Sequence, residues 1–382
     1  MTPKDLTHIW DTDETEVLLN PRMPGEARTR LLAAQASLPP LTAHIWITTS
    51  GSSGLKWVAL SKAALLASAA AVNTHLEATR ADSWAQPLPL FHVGGLGILA
   101  RAHLSGATVH QWGGGGEAKW EAGAFHKFLA DTSAVLTSLV PTQLHDLVQT
   151  GLPCPPTLRG AVIGGGALST DLARAARVLG WPALPSYGLS ECCSQVATAR
   201  PGPPALMEDD PPLILLPHIA ARADADGRLQ IKSQALLTGY GLIGDDGTAR
   251  FVDPKEDGWF LTEDRGGVTG DVLTIAGRIG DFVKIGGESV DVARLSRLWE
   301  RQNVPNTVLV AVPDTRLGAA IHLAAASGID ESVLTEAVRA YNAEVLPFGR
   351  VQRLHWLAAI PRSPLGKVLR TALLTLLGYP PA

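Results

Sequence analysis

A chain of 382 residues is too long for one ordinary domain, so two unequal domains are the expected organisation. Lys and Arg number 32 against 36 for Asp and Glu, a formal net charge of -4, which leaves no cationic excess for a nucleic-acid backbone or an anionic membrane surface. Cys154, Cys192 and Cys193 lack zinc-site spacing, the N-terminus lacks the apolar stretch of a secretory signal, and no apolar run reaches the roughly 20 residues that span a bilayer, so the expected compartment is the cytoplasm.

From about residue 43 to 190, short apolar runs alternate with helix-like segments, the pattern of an α/β sheet covered by helices. Residues 44–48 read as a strand that runs into a loop over 49–54, rich in glycine and hydroxyls, and Ser61 is placed to cap a helix over 62–77. Gly160–Ile163 reads as a strand entering three glycines at 164–166, after which Thr170 opens a helical pattern over 172–179. Beyond Pro201, strand-like pieces at Arg228–Lys232, 259–262 and 272–276 are separated by Asp-Gly turns, which predicts antiparallel pairing in a smaller β layer of the same domain. Residues 277–287 concentrate glycine and charge in one connection, as a hinge requires. Two strand-like runs, 307–312 and 322–326, and a helix over Glu331–Glu344 follow. The expected architecture is a large α/β domain over 1–279, with βα-rich sheets plus the antiparallel layer, a hinge at 280–281, and a small α+β domain over 282–382.

Four segments carry chemistry in their residue types. Thr49, Ser50, Gly51, Ser52, Ser53, Gly54 and Lys56 combine freed backbone amides, hydroxyl donors and a cation, which suits a triphosphate; a flexible Gly/Ser turn is the alternative. The segment is not a P-loop, because Lys56 does not directly follow the last glycine and Trp57 stands where Ser or Thr would hold magnesium, nor is it a nucleophile elbow. In residues 186–191, Tyr187 offers an aromatic face for a base and Glu191 a carboxylate for a hard cation. In residues 262–266, Asp264 is an acceptor for ribose hydroxyls or simply part of a turn. Lys367, in the turn 361–367, is on its residues alone as readily a solvated surface lysine.

Taken in this order from about residue 45 to 370, the segments resemble the adenylate-forming superfamily of acyl-CoA synthetases, adenylation domains and luciferases. The resemblance implies an ATP-dependent acid-thiol ligase that works through an acyl-adenylate, with ATP, Mg2+ and coenzyme A, or a carrier-protein thiol as the alternative acceptor. It assigns Thr49, Ser50, Gly51, Ser52, Ser53, Gly54 and Lys56 to the phosphate loop. Gly165, Gly166, Ala167, Tyr187, Gly188 and Ser190 fall to the nucleotide pocket, Glu191 to the magnesium ligand, and Asp264 and Arg278 to the ribose contacts. Lys367 matches the catalytic lysine that bridges the reacting carboxylate and the α-phosphate, and Gly280 and Asp281 fall at the hinge. The sequence departs from the pattern in three places: only Leu55 separates Gly54 from Lys56, Gly280 replaces an acidic hinge residue, and so little chain precedes the phosphate loop that a shortened large domain is expected.

Within the superfamily, residues 89–95 and 273–278, with Gly286, Gly287 and Glu288, resemble the o-succinylbenzoate-CoA ligases of menaquinone biosynthesis. This implies an acid pocket containing His92, Gly94 and Arg101, with His92 also counted as catalytic and Arg101 meeting the second carboxylate of an aromatic dicarboxylic acid. On the residues alone, an arginine on a helix is as readily a surface residue, and His92 either orients the acid or is a core histidine bonded to backbone. Cys192 and Cys193 are expected to pack behind the magnesium loop without a catalytic part. Two rivals come from other classes. A dinucleotide oxidoreductase would use Gly95, Gly97, Ala100 and Glu117, but Pro87 and Pro89 spoil the preceding strand. A non-catalytic nucleotide-binding relative is opposed by the joint presence of Lys367, Glu191, Asp264 and Arg278. The expected partners are small molecules, with no nucleic acid and no stable membrane insertion.

Overall fold

The computed structural model describes residues 9–21, 23, 25–51, 54–113, 119–244, 248–278, 282–361, 368 and 370–379. The chain divides into two units, Met1–Ile279 and Gly280–Ala382. Residues 280 and 281, the expected hinge, lie outside the described residues.

In the first unit, short apolar runs become strands, and the central ones have both faces covered. The strands that open it are β1 (Glu16–Leu18), β2 (His44–Gly51), β3 (Gly54–Ser61), β4 (Ser83–Gln86), β5 (Thr108–Gln111), β6 (Leu136–Leu139), β7 (Gly160–Ile163) and β8 (Ala183–Leu189). Every residue of β6 and β7 is buried, as parallel strands sandwiched between helices require. The later strands are β9 (Ser194–Thr198), β10 (Leu213–Leu215), β11 (Ala220–Ala223), β12 (Arg228–Lys232), β13 (Gly239–Ile243), β14 (Ala249–Val252), β15 (Lys255–Glu256), β16 (Trp259–Thr269) and β17 (Val272–Arg278).

Among the described residues one long sheet runs in the order β11-β12-β16-β17-β10-β9-β8-β7-β6-β4-β5, with β15 paired to β16. Strands β4 to β8 pair in parallel, while β9 folds back antiparallel on β8. The antiparallel strands β12, β16 and β17 therefore continue the parallel sheet rather than forming a separate layer. A second sheet, β1-β2-β3-β13-β14, alternates its side chains between two cores: Ile45, Ile47, Val58 and Leu60 face one, and Trp46, Trp57 and Ala59 the other.

Local signals set the helix boundaries. The Ser61 hydroxyl accepts from the Ala64 backbone N–H at 3.0 Å and caps the helix Lys62–His75, which ends two residues before the expected Glu77 because Glu77 adopts a left-handed φ of 51°. Replacing Ser61 with alanine should cost about 1 kcal/mol, read as a lower urea midpoint at unchanged slope. The Ser169 hydroxyl likewise accepts from Leu172 N–H and starts the helix Thr170–Val178.

In the second unit, the strands Thr307–Asp314 and Gly318–Ala326 pair antiparallel, and Arg353–Leu357 joins the latter in parallel. The helices Val292–Glu300 and Glu331–Glu344 contribute Trp299, Leu334 and Tyr341 to a core that includes Ile321 and Leu323. The segment 277–287, read as one connection, is partly strand: Arg278 ends β17, and Phe282–Ile285 pairs with Glu288–Asp291. Among the described residues no helix is long and apolar enough to cross a membrane.

Candidate active site

The expected loop 49–54 is narrower than its sequence implies. Strands β2 and β3 stay in register to the Gly51–Gly54 pair, with Ser50 opposite Leu55 and Thr49 opposite Lys56. Thr49, Ser50, Gly51 and Gly54 are thus strand residues, because the antiparallel ladder satisfies their backbone groups; Ser52 and Ser53 lie outside the described residues. Residues directly opposite in a ladder share a face, so Thr49 and Lys56 project together. The Thr49 hydroxyl is buried and has no hydrogen-bond partner among the described residues, which leaves a polar atom suited to a ligand.

Glu191 sits on a single 3-10 turn, Ser190–Cys192, between β8 and β9. Sharp reversal of the chain is needed to carry it there: Cys193 and Ser194 both take positive φ, at 54° and 119°, and a Cβ on Gly188 would collide with the Ser194 carbonyl oxygen. The turn places the Glu191 carboxylate 3.5 Å from the Lys56 ammonium, and the Tyr240 hydroxyl donates to the same Oε1 at 2.8 Å. Cys192 and Cys193 are buried behind this turn, where burial raises both thiols. All three cysteines are free thiols.

Two residues assigned separately to base and sugar meet in the fold. The Tyr187 hydroxyl donates to Asp264 Oδ2 at 2.8 Å, and burial, reinforced by the Asp264 charge, holds the phenol well above its ordinary range. Thr262, itself buried, receives the Asp264 N–H on its hydroxyl at 3.1 Å and fixes that turn. Asp264 stands opposite Arg278 in the β16–β17 ladder, so the backbone brings the two expected ribose contacts side by side. Because β7 and β8 are parallel neighbours, Gly165, Gly166 and Ala167 emerge beside Tyr187 and Gly188 at the carboxyl ends of the strands, where open α/β sheets bind ligands.

The acid-pocket segment precedes and begins the helix Val93–Ser105, with His92 as its N-cap residue. The His92 side chain makes no cap bond; its imidazole is half-buried with its ring centre 4.5 Å from that of Phe91. Gly94 leaves room for Leu88, and a Cβ on Gly95 would run into the carbonyls of Leu88 and Pro89. That close approach is a packing role for the glycine of the dinucleotide fingerprint, whose Glu117 lies outside the described residues.

Arg101 corrects the reading of a surface arginine: it is 2% exposed, with Nη1 donating to Ser138 Oγ at 3.2 Å and Nη2 to Ser194 Oγ at 3.4 Å. Its guanidinium carbon lies 5.3 Å from the centre of the Trp84 ring, and its Nε has no partner among the described residues. Among the described residues no carboxylate pairs with it, and burial drives it down to about 9. The helix is apolar all round, so any side chain on it other than one at its ends is enclosed. Ser194 also belongs to the strained turn behind Glu191, which ties the two parts of the site together. Tyr240, Ser138, Ser194 and Trp84 carry no motif of their own; only the glycines flanking Tyr240 hint that its strand is closely packed. Lys367 lies outside the described residues.

A family model described as AMP-binding enzyme matches residues 3–224. The 2-succinylbenzoate–CoA ligase of Bacillus licheniformis is 29% identical over 306 residues, covering 76% of this chain and 60% of that protein. Its namesake from Enterococcus faecalis is 25% identical over 320 residues, covering 81% and 64%. The chain therefore spans 60% to 64% of the length of these curated relatives. Among solved structures, an o-succinylbenzoate CoA synthetase from Bacillus subtilis bound to its product analogue matches with a TM-score of 0.69 at 23% identity, over 86% of this chain and 68% of that one. An amide bond synthetase from Marinactinospora thermotolerans matches with a TM-score of 0.73 at 21% identity, over 95% and 80%. These structural likenesses show the fold.

Proposed function

The chain belongs to the family of AMP-binding enzymes, and from that premise we propose that it is an ATP-dependent acid-thiol ligase acting on o-succinylbenzoate. A carboxylate oxygen of the acid bonds to the α-phosphorus of ATP as the bond to pyrophosphate breaks. The sulfur of coenzyme A then bonds to the acyl carbon, and AMP leaves. The observation that carries the choice of acid is Arg101: a fully buried guanidinium whose partners are neutral hydroxyls is suited to a second carboxylate brought by the substrate. The curated relatives named for this activity support the same reading.

Attack of a carboxylate on a phosphoryl group needs charge neutralisation and in-line positioning rather than a covalent nucleophile. Lys56 and the β2–β3 connection, Thr49 and Ser50 to Gly54, are assigned to the phosphates. Tyr187 offers its ring to the purine, and Asp264 with Arg278 serves the ribose. The Glu191 carboxylate is a hard oxygen donor of the kind a divalent cation takes, with the Tyr240 hydroxyl and the Lys56 ammonium both on its Oε1. Magnesium held there would draw charge from the phosphate oxygens. His92 is assigned to orienting the acid, and Lys367 keeps the catalytic role the resemblance gave it. The free thiols support a cytoplasmic setting.

A pyrophosphate-release screen over o-succinylbenzoate, benzoate, coumarate and fatty acids, each with and without coenzyme A, tests the proposal. Release with o-succinylbenzoate should exceed that with benzoate by a factor of about 100, since the site then leaves no buried charge unpaired. Release driven only by monocarboxylic acids would refute the choice of acid, and nucleotide binding without release for any acid would make the chain a binding relative instead.

A further inference from the structure

Lys56, Glu191 and Tyr240 touch one another pairwise. The Lys56 ammonium lies 3.7 Å from the centre of the Tyr240 ring and 3.5 Å from Glu191 Oε1, the atom to which the Tyr240 hydroxyl donates at 2.8 Å. The strand register explains why. Leu242 is opposite Lys56 and Tyr240 opposite Val58, so Tyr240 is the diagonal neighbour of Lys56 on the same face of β3 and β13, within reach of a long side chain. The other face of β13 is pressed flat: a Cβ at Gly239 would strike Phe251, and one at Gly241 would strike Leu38. Tyr240 is 8% exposed and packed into the core, so its ring is a fixed surface rather than a mobile one.

We propose that Tyr240 is a positioning residue for the metal and phosphate side of the site, with its hydroxyl orienting Glu191 and its ring face supporting Lys56 before and after nucleotide binds. The lysine neutralises a partly desolvated carboxylate, and it and the hydroxyl both meet Oε1, which leaves Oε2 as the oxygen for a cation. The missing residue between Gly54 and Lys56 gains a meaning in this arrangement. A shift of one position along a strand turns a side chain to the opposite face, and the register here puts Lys56 on the face of Tyr240 and Glu191. The inference rests on the adenylation reading, which assigns phosphate and metal to these groups.

The two roles of Tyr240 separate by substitution, because Tyr240→Phe keeps the ring and removes the hydroxyl, whereas Tyr240→Leu removes both. Calorimetric titration with α,β-methylene-ATP, with and without magnesium chloride, reads them without turnover. For Tyr240→Phe, the gain in affinity on adding magnesium should shrink about tenfold, as expected for losing a hydrogen bond to a charged group, while metal-free binding stays within twofold. For Tyr240→Leu, metal-free binding should weaken about threefold as well, since the cation loses its aromatic support. An unchanged magnesium gain in Tyr240→Phe overturns the positioning role and leaves the adenylation reading intact. Absence of analogue binding by the unaltered protein overturns both. Should Tyr240→Leu fail to fold, the near-isosteric Tyr240→Phe decides alone.

Discussion

Replacing Arg101 with methionine should raise thermal stability while sharply reducing use of o-succinylbenzoate. Methionine roughly matches the aliphatic stem of arginine and needs no hydrogen bonds, whereas the guanidinium is enclosed beside Trp84 with two serine hydroxyls as acceptors and an Nε that has no partner among the described residues. Apolar replacement of a buried ionic group is often neutral or stabilising, here by an expected gain of about 1 kcal/mol, or roughly 2 to 4 °C for a unit of this size. With the substrate bound the sign reverses, because the second carboxylate would then face methionine. Truncating one partner of a buried charge pair costs about 2 to 5 kcal/mol, so kcat/KM for o-succinylbenzoate should fall by a factor between roughly 30 and several thousand. Benzoate, which has no second carboxylate, should be used no worse than before. Paired measurement of melting temperature and of kcat/KM for both acids checks this; a fall in stability with unchanged o-succinylbenzoate kinetics would make Arg101 structural.

The opposed effects also show what the sequence could reveal. Ser61, Gly160–Ile163 and Glu331–Glu344 were readable because a cap, a short apolar run and a helical period are local signals. The family motifs were readable for the same reason, since each occupies one short segment. The burial of Arg101 was indicated less directly, by the apolar run on every side of it in the helix Val93–Ser105, which implies enclosure of anything within the run. The role of Tyr240 was not readable. It depends on a diagonal contact between β3 and β13, whose residues lie far apart in sequence, and on a register that only the assembled sheet fixes. Likewise, nothing in residues 186–191 or 262–266 taken singly says that Tyr187 and Asp264 form a pair.

That pair governs the second large effect. Asp264→Ala should lower kcat/KM for ATP about 100-fold, the loss of roughly 2.7 kcal/mol expected when a charged acceptor for ribose hydroxyls disappears. Tyr187→Phe keeps the ring that would face the purine and loses only the hydroxyl held by Asp264, so its effect should stay within about fivefold. The two substitutions should not add. Asp264→Ala strands the largely enclosed Tyr187 hydroxyl without its acceptor, and Tyr187→Phe removes that penalty, so the double variant should be less impaired than the sum by about 1 kcal/mol. Because burial and the Asp264 charge both hold the Tyr187 phenol protonated, kcat/KM for ATP should show no ionisation from this tyrosine near its ordinary pKa of about 10. Steady-state kinetics of the three variants across pH tests the arrangement. Full additivity would mean that Tyr187 and Asp264 act independently on the nucleotide, and an unchanged ATP kcat/KM in Asp264→Ala would remove the ribose from this side of the sheet.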